Sequence, residues 1–214
     1  MASTREKILE TALHLFNEKG SEKISTRHIA EAMKKSIGNL YYHFKDKDSI
    51  IIQLYEQLVQ KLNGGFEQME SIEVSLEMTM HAVKFTFTTL YEYRFLMVNF
   101  AQIMRAIPEI KTNYQALTVI RKEQFRVTLD QLIKQEMIKK EVLEIPFEYL
   151  QLQFTILGDF WISEAEILYQ GKEENKLKYF TETMLYNFYP HLTDAGKKVF
   201  KNTLASLFIA PKSL

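Results

Sequence analysis

The chain contains no cysteine. Disulfide frameworks, thiolate nucleophiles and cysteine-ligated zinc are excluded together, and the composition suits a reducing compartment. Glycine and proline are scarce, seven and four among 214 residues, and no segment alternates as a half-buried strand would. No apolar run approaches the ~20 residues that cross a bilayer, and the opening residues MASTREKILETAL are charged and amphipathic, unlike a signal peptide. Net charge is missing too: 27 basic residues balance 27 acidic ones, so the total implies no particular partner. Catalytic signatures are equally sparse. The five histidines, at 14, 28, 43, 81 and 191, lack metal-ligand spacing of the H-E-x-x-H kind, and there is no G-x-S-x-G elbow, phosphate loop or Gly-rich dinucleotide turn. The expectation is a soluble, cytoplasmic protein with no enzyme activity, no catalytic residues, no cofactor and no metal.

What remains is helix. An apolar content of 46% supplies a sizeable core for one or two domains. From about Ser3 to Lys19, Ile8, Leu9, Ala12, Leu13 and Phe16 fall on one helical face. Ser3 and Glu6 can form a capping box at its start, and Gly20 stands where a left-handed helix end favours a residue without Cβ. Then comes ISTRHIAEAMKKSIGNLYYHFKDK, Ile24 to Lys47. Ser25 or Thr26 can cap a short helix with Ile29, Ala30 and Met33 inward, and Ser36 can cap a second carrying Leu40, Tyr41 and Phe44. Asp46 can cap a longer helix with Ile51, Leu54, Tyr55, Leu58 and Leu62 inward. Two short helices joined by a tight step are the pattern of a helix-turn-helix that reads DNA. Residues 1 to 50 carry nine Lys or Arg against seven Asp or Glu, a slight surplus whose placement matters more than its size. Lys34, Lys35, Lys45, Lys47 and Arg27 all surround the second short helix.

The run GNLYYHFKDKD, Gly38 to Asp48, resembles the N-terminal domain of the TetR family of bacterial transcriptional regulators, which closes with a similar Gly-x-Leu-Tyr-x-x-Phe-x-x-Lys pattern. The resemblance covers roughly the first 60 residues. One departure stands out. The turn usually reads small residue, Gly, aliphatic residue in that family, whereas this chain has Met33, Lys34 and Lys35. A lysine forced to positive φ there costs ~1 kcal/mol relative to glycine, and it brings extra cations toward the phosphates.

The resemblance implies an all-α protein: a three-helix, helix-turn-helix DNA-binding domain over residues 1–50, and a helical ligand-binding and dimerisation domain over 51–214. It places Ile37, Gly38 and Asn39 at base edges in the major groove, with Arg27 reaching in from the preceding helix. Arg27 suits guanine, Asn39 suits adenine or cytosine, and Ile37 suits only a thymine methyl. Thr26, Tyr41, His43 and Lys47 suit phosphates, with Lys35, Ser36 and Tyr42 completing the surface. The implied function is a repressor released from a pseudo-palindromic operator by a small apolar or amphipathic effector, acting as a homodimer. The alternatives are an all-α interaction protein whose DNA-binding domain has lost specificity, and a ligand carrier or enzyme on the same helical core.

Beyond a plausible joint at Gly64 and Gly65, helical patterns run approximately over 74–93, 96–105, 108–138, 146–169, 176–188 and 193–208. Met78, Met80, Phe85, Phe87, Tyr91, Phe95, Met97, Phe100 and Met104 form an aromatic and sulfur-rich group that can line an adaptable cavity. The ligand-lining candidates are His81, Phe85, Met97, Phe100, Met104, Phe125, Phe154 and Trp161. For the dimer interface the apolar helices near 147–169 and 193–208 are the first choice, with the 176–188 helix as rival.

Overall fold

A computed structural model of the chain describes residues 3–70 and 73–209. Eleven α-helices and two short 3-10 helices occur among them, with no strand. The first four helices are α1 (Thr4–Lys19), α2 (Thr26–Ala32), α3 (Ile37–His43) and α4 (Lys47–Glu70). Their starts are fixed by local chemistry. Ser3 and Glu6 make the reciprocal capping box on α1, Ser25 caps α2 with help from His28, and the Ser36 hydroxyl accepts from the Asn39 N–H at the head of α3. At α4 the Asp46 carboxylate accepts from the Ser49 N–H while the Ser49 hydroxyl approaches the Asp46 N–H. Each such cap contributes ~1 kcal/mol, which matters for helices of seven residues.

The step between α2 and α3 is a Schellman turn. The Lys35 N–H donates to the Ala30 carbonyl at 2.9 Å, the Lys34 N–H donates to Glu31 at 2.9 Å, and Lys34 sits at φ 54°. The positive φ expected of this turn is present, carried by a lysine. Gly20, at φ 83°, closes α1 as its position suggests.

The body of the protein comprises α5 (Leu76–Glu92), α6 (Arg94–Val98), α7 (Phe100–Ala106), α8 (Pro108–Lys134), α9 (Phe147–Leu168), α10 (Glu173–Tyr186) and α11 (Asp194–Leu207). Helix α5 packs on α4, α10 and α11, while α6 lies on α9 and on α1. The segment expected as one helix over 96–105 is two helices, and the second begins after Asn99. Side chains from the N-terminal unit satisfy the backbone around this broken region: Asn17 donates to the Glu92 carbonyl at 2.8 Å and accepts from the Phe95 N–H at 3.1 Å. Arg94 pairs with Glu18 at 2.9 Å and covers the Tyr91 ring, and the Phe16 and Phe95 rings meet at 5.1 Å.

Two other expectations change. Helix α4 runs unbroken through Gly64 and Gly65 to Glu70, so no joint lies there. The reason for glycine is close approach, since a Cβ on Gly65 would stand 2.2 Å from the Phe85 ring. Helix α11, a first choice for the dimer interface, turns its apolar strip onto the chain itself. Phe200, Thr203 and Leu207 are buried in a cluster with Leu76, Met80 and Leu185, against the chain's own α5 and α10. The face that stays open belongs to α9, where Tyr149, Leu152, Ile156 and Ile167 are exposed, and on the rival helix α10 Tyr179 and Tyr186 are exposed as well.

Gly65→Ala is expected to push the half-buried Phe85 ring aside, a cost partly offset by the ~1 kcal/mol that alanine gains over glycine inside a helix, for a net loss of up to about 2 kcal/mol, read as a lower urea midpoint with an unchanged slope.

Candidate nucleic-acid interface

Helix α3 turns Leu40 into the core, together with Phe44 just past its end, and leaves the opposite face to solvent. Gly38, Asn39, Tyr41 and Tyr42 are exposed, Ile37 and His43 half-buried. Tyr42 is 85% exposed with its ring edge against His43, which removes it from the core. Around this face stand Arg27, Lys34, Lys35, Ser36 and Lys45, all exposed. Lys45 has only a loose 4.0 Å approach to Asp46, and no acid among the described residues pairs with Arg27, Lys34 or Lys35. A run of cations without partners beside a capped, protruding helix is the electrostatic footprint of a polyanion.

Thr26 and Tyr41, from consecutive helices, share a hydroxyl–hydroxyl bond of 3.2 Å and line a cleft of about 290 Å³ with Lys45 and Lys47. Lys47 is more committed than its sequence position suggests: its ammonium donates to the Ser21 carbonyl at 2.8 Å, tying the start of α4 to the end of α1. Two N–H groups remain for an anion. Arg5 escaped the sequence reading. Its guanidinium lies 5.1 Å over the Phe44 ring and donates to Gln53, which brings α1 to the base of α3.

Five of the eight ligand candidates meet in one cluster and three lie apart from it. Trp161 and Met97 are buried with Phe100, Met104 and Phe154 packed against the cluster that also holds the N-terminal helices. Phe125 and Phe154 belong with Phe147 and Phe188 in the second cluster. Phe85 covers Gly65, and His81 is exposed. A cleft of about 510 Å³ lies instead between α1 and α4, lined by Glu6, Leu9, Glu10, Leu13, Gln57, Gln60, Lys61 and Tyr93. None of the eight lines it.

Sequence reasoning also missed a polar pair in the body. Tyr114 of α8 donates its hydroxyl to Asp159 of α9. Burial pushes the Asp159 carboxyl up to about 6, with the bond from Tyr114 working in the opposite direction. Tyr114 is itself raised by burial and then by the neighbouring acid. The signal was there to see: Asp159 is the sole charge between Leu150 and Ser163, in a stretch rich in apolar residues. Trp161, stacked on Phe87 at 5.0 Å, holds an indole N–H that is buried without an acceptor among the described residues.

Fold and surface together define a helix-turn-helix protein with a larger helical body behind it. Residues 8–54 match the family model described as bacterial regulatory proteins, tetR family, and residues 55–200 match one described as a bacterial transcriptional repressor. The chain belongs to the TetR family, and it is a transcriptional regulator of that family. It is 27% identical to the probable HTH-type transcriptional regulator YttP of Bacillus subtilis, over 80% of this chain and 85% of that one. It is 24% identical to the HTH-type transcriptional repressor AcnR of Corynebacterium efficiens, over 75% and 81%. In fold it is similar to a TetR-family transcriptional regulator from Marinobacter aquaeolei VT8, with a TM-score of 0.83 at 24% identity over 96% and 99% of the two chains. No helix among the described residues is long and apolar enough to cross a membrane.

A pH dependence follows from Asp159. Its folded pKa lies above the ordinary value of 3.8, so between about pH 4 and 6 the folded chain holds a proton that the unfolded chain has released. Stability therefore falls as pH rises through that window, by about 2–3 kcal/mol in total. Asp159→Asn is expected to gain roughly that amount in urea melts at pH 7.5 and almost nothing at pH 4; an equal gain at both would show that ionisation is not the cause.

Proposed function

We propose that this protein binds a pseudo-palindromic DNA operator as a homodimer in the cytoplasm and, as a repressor, is released when a small apolar or amphipathic molecule occupies its body. The observation that carries the reading is the solvent face of α3, where Gly38, Asn39 and Tyr42 stand clear of the protein between unpaired Arg27 and Lys35. Residues 1–50 act as the reading domain and 51–214 as the effector and dimerisation domain. In the groove, Arg27, Ile37, Gly38 and Asn39 face base edges, while Thr26, Lys35, Ser36, Tyr41, Tyr42, His43 and Lys47 hold the backbone and so set register.

One reading domain covers a half-site, so useful affinity needs two, about 34 Å apart on one face of the duplex. The exposed stripe of α9 with Tyr179 and Tyr186 of α10 suits the twofold contact, because a contiguous apolar patch on a soluble protein usually marks an interface. An effector acts by preferring a dimer with the wrong head spacing, and DNA weakens the effector by the same factor. The Asn17 and Arg94 contacts at the start of α6 give such a preference a route to α1.

The second reading, an interaction protein with a helix-turn-helix that no longer reads sequence, is favoured by half-buried, apolar Ile37 and by the lysine-bearing turn. The two part company in an anisotropy titration with DNA from just upstream of the protein's own gene, over a salt series and against scrambled DNA. Arg27→Ala should cost about 1–3 kcal/mol on native DNA and relax specificity, whereas Lys35→Ala should weaken both DNAs alike and lower the salt slope by about one. Binding that Arg27→Ala and Tyr41→Phe both leave unchanged would favour the second reading.

A further inference from the structure

We propose that the effector is an organic cation, an ammonium on an apolar body, and that it is held by the Asp159 carboxylate among the rings of Phe100, Tyr114 and Phe160. This rests on the reading above that the helical body holds the effector. Three helices supply the groups. Tyr114 of α8 donates to the carboxylate, and Phe100 of α7 meets Tyr114 edge-on at 5.0 Å and Phe160 of α9 edge-on at 5.9 Å.

The arrangement has a carboxylate in want of a cation. No ion pair among the described residues involves Asp159, and the polar partner it has is a neutral phenol. A half-buried carboxylate with no counter-charge destabilises the folded chain, and such a cost is retained where a site serves binding rather than stability. The rings of Phe100, Tyr114 and Phe160 cluster edge-on around it, and an aromatic ring met on its face attracts a cation more strongly as water is excluded. An anionic ligand would meet repulsion at Asp159, and a purely apolar one would leave the acid without a counter-charge.

Position gives the site a route to DNA. Next to Tyr114 in the chain, Asn113 accepts from the Tyr55 hydroxyl at 2.9 Å, and Tyr55 is a buried residue of α4, the helix that begins just after the reading helix. A cation that takes Asp159 from Tyr114 disturbs α8 where α8 grips α4.

The test is calorimetry on the full-length protein without DNA, at pH 7.5, using 2-phenylethylammonium, benzyltrimethylammonium and the neutral 2-phenylethanol. The expected result is at least roughly tenfold tighter binding of the two cations than of the alcohol, with the preference lost in Asp159→Asn and restored in Asp159→Glu. Benzyltrimethylammonium has no N–H, so its retention of the preference assigns it to charge and rings. Circular dichroism establishes that the variants are folded, and Phe160→Leu, on the exposed side, should weaken both cations several-fold while sparing the alcohol. Absence of cation binding, equal affinity for cation and alcohol, or a preference that survives in folded Asp159→Asn would overturn the proposal. Failure of the regulator reading shows elsewhere, as equal binding of native and scrambled DNA in the absence of any probe.

Discussion

Helices α2 and α3, the helix-turn-helix, have no core of their own. Ile8, Leu9, Ala12 and Phe16 of α1, Ile29 of α2, Leu40 of α3 and Ile50, Leu54 and Leu58 of α4 bury their side chains in one cluster, and the same cluster continues through Phe95, Leu96 and Ile103 to Trp161 and Ile162. Two helices of seven residues cannot hold a fixed shape in water unaided. Each buried Leu, Ile or Phe contributes roughly 1.5–3 kcal/mol, and here that stabilisation is shared between the part that faces solvent with cations and the part that fills the body. The orientation of α3 is therefore set by packing that extends into the body.

The boundary between the two parts carries polar contacts that fix geometry more than they add stability. Asn17 replaces the backbone partners lost between α5 and α6, through bonds that are only partly shielded from water and contribute ~0.5–1.5 kcal/mol each. Arg94 links Glu18 of α1 to the ring of Tyr91, whose hydroxyl donates to Glu173 at the start of α10 and whose ring lies 5.8 Å from Trp161. Helices α1, α5, α6, α9 and α10 thus meet around one short break. On the other side Tyr55 joins α4 to α8. A change in how α8 and α9 pack has two contiguous routes to the reading helix, and close-packed interiors transmit such changes rather than absorb them.

Much of this was legible in the sequence, for physical reasons that differ by element. Caps are local, so Ser3, Ser25, Ser36 and Asp46 could be read directly, and so could the strain of a lysine at Lys34. Long amphipathic helices could be read from period alone, with ends off by one to a few residues. What period cannot show is which partner covers an apolar face: α11 and α9 both suggested an interface, and α11 is covered by α5 while α9 keeps its stripe exposed. Gly64 and Gly65 looked like a joint because glycine signals either freedom or close approach, and only the nearby Phe85 ring tells the two apart. The aromatic residues proposed as one lining divide between two clusters, since helical spacing places residues on a face without saying what lies opposite. Asp159 and Tyr114 are 45 residues apart, and their pairing is a product of the fold.

The central claim is that the reading helices and the body form one packed unit. Amide hydrogen exchange in α2 and α3, compared between the native protein and Phe95→Ala, tests it directly, because Phe95 lies in the body and touches α1 through Phe16. The account predicts that protection falls in α1 to α3 as well as around α6, although Phe95 is remote from the exposed face of α3. Loss confined to α5 and α6, with α2 and α3 as protected as before, would contradict it.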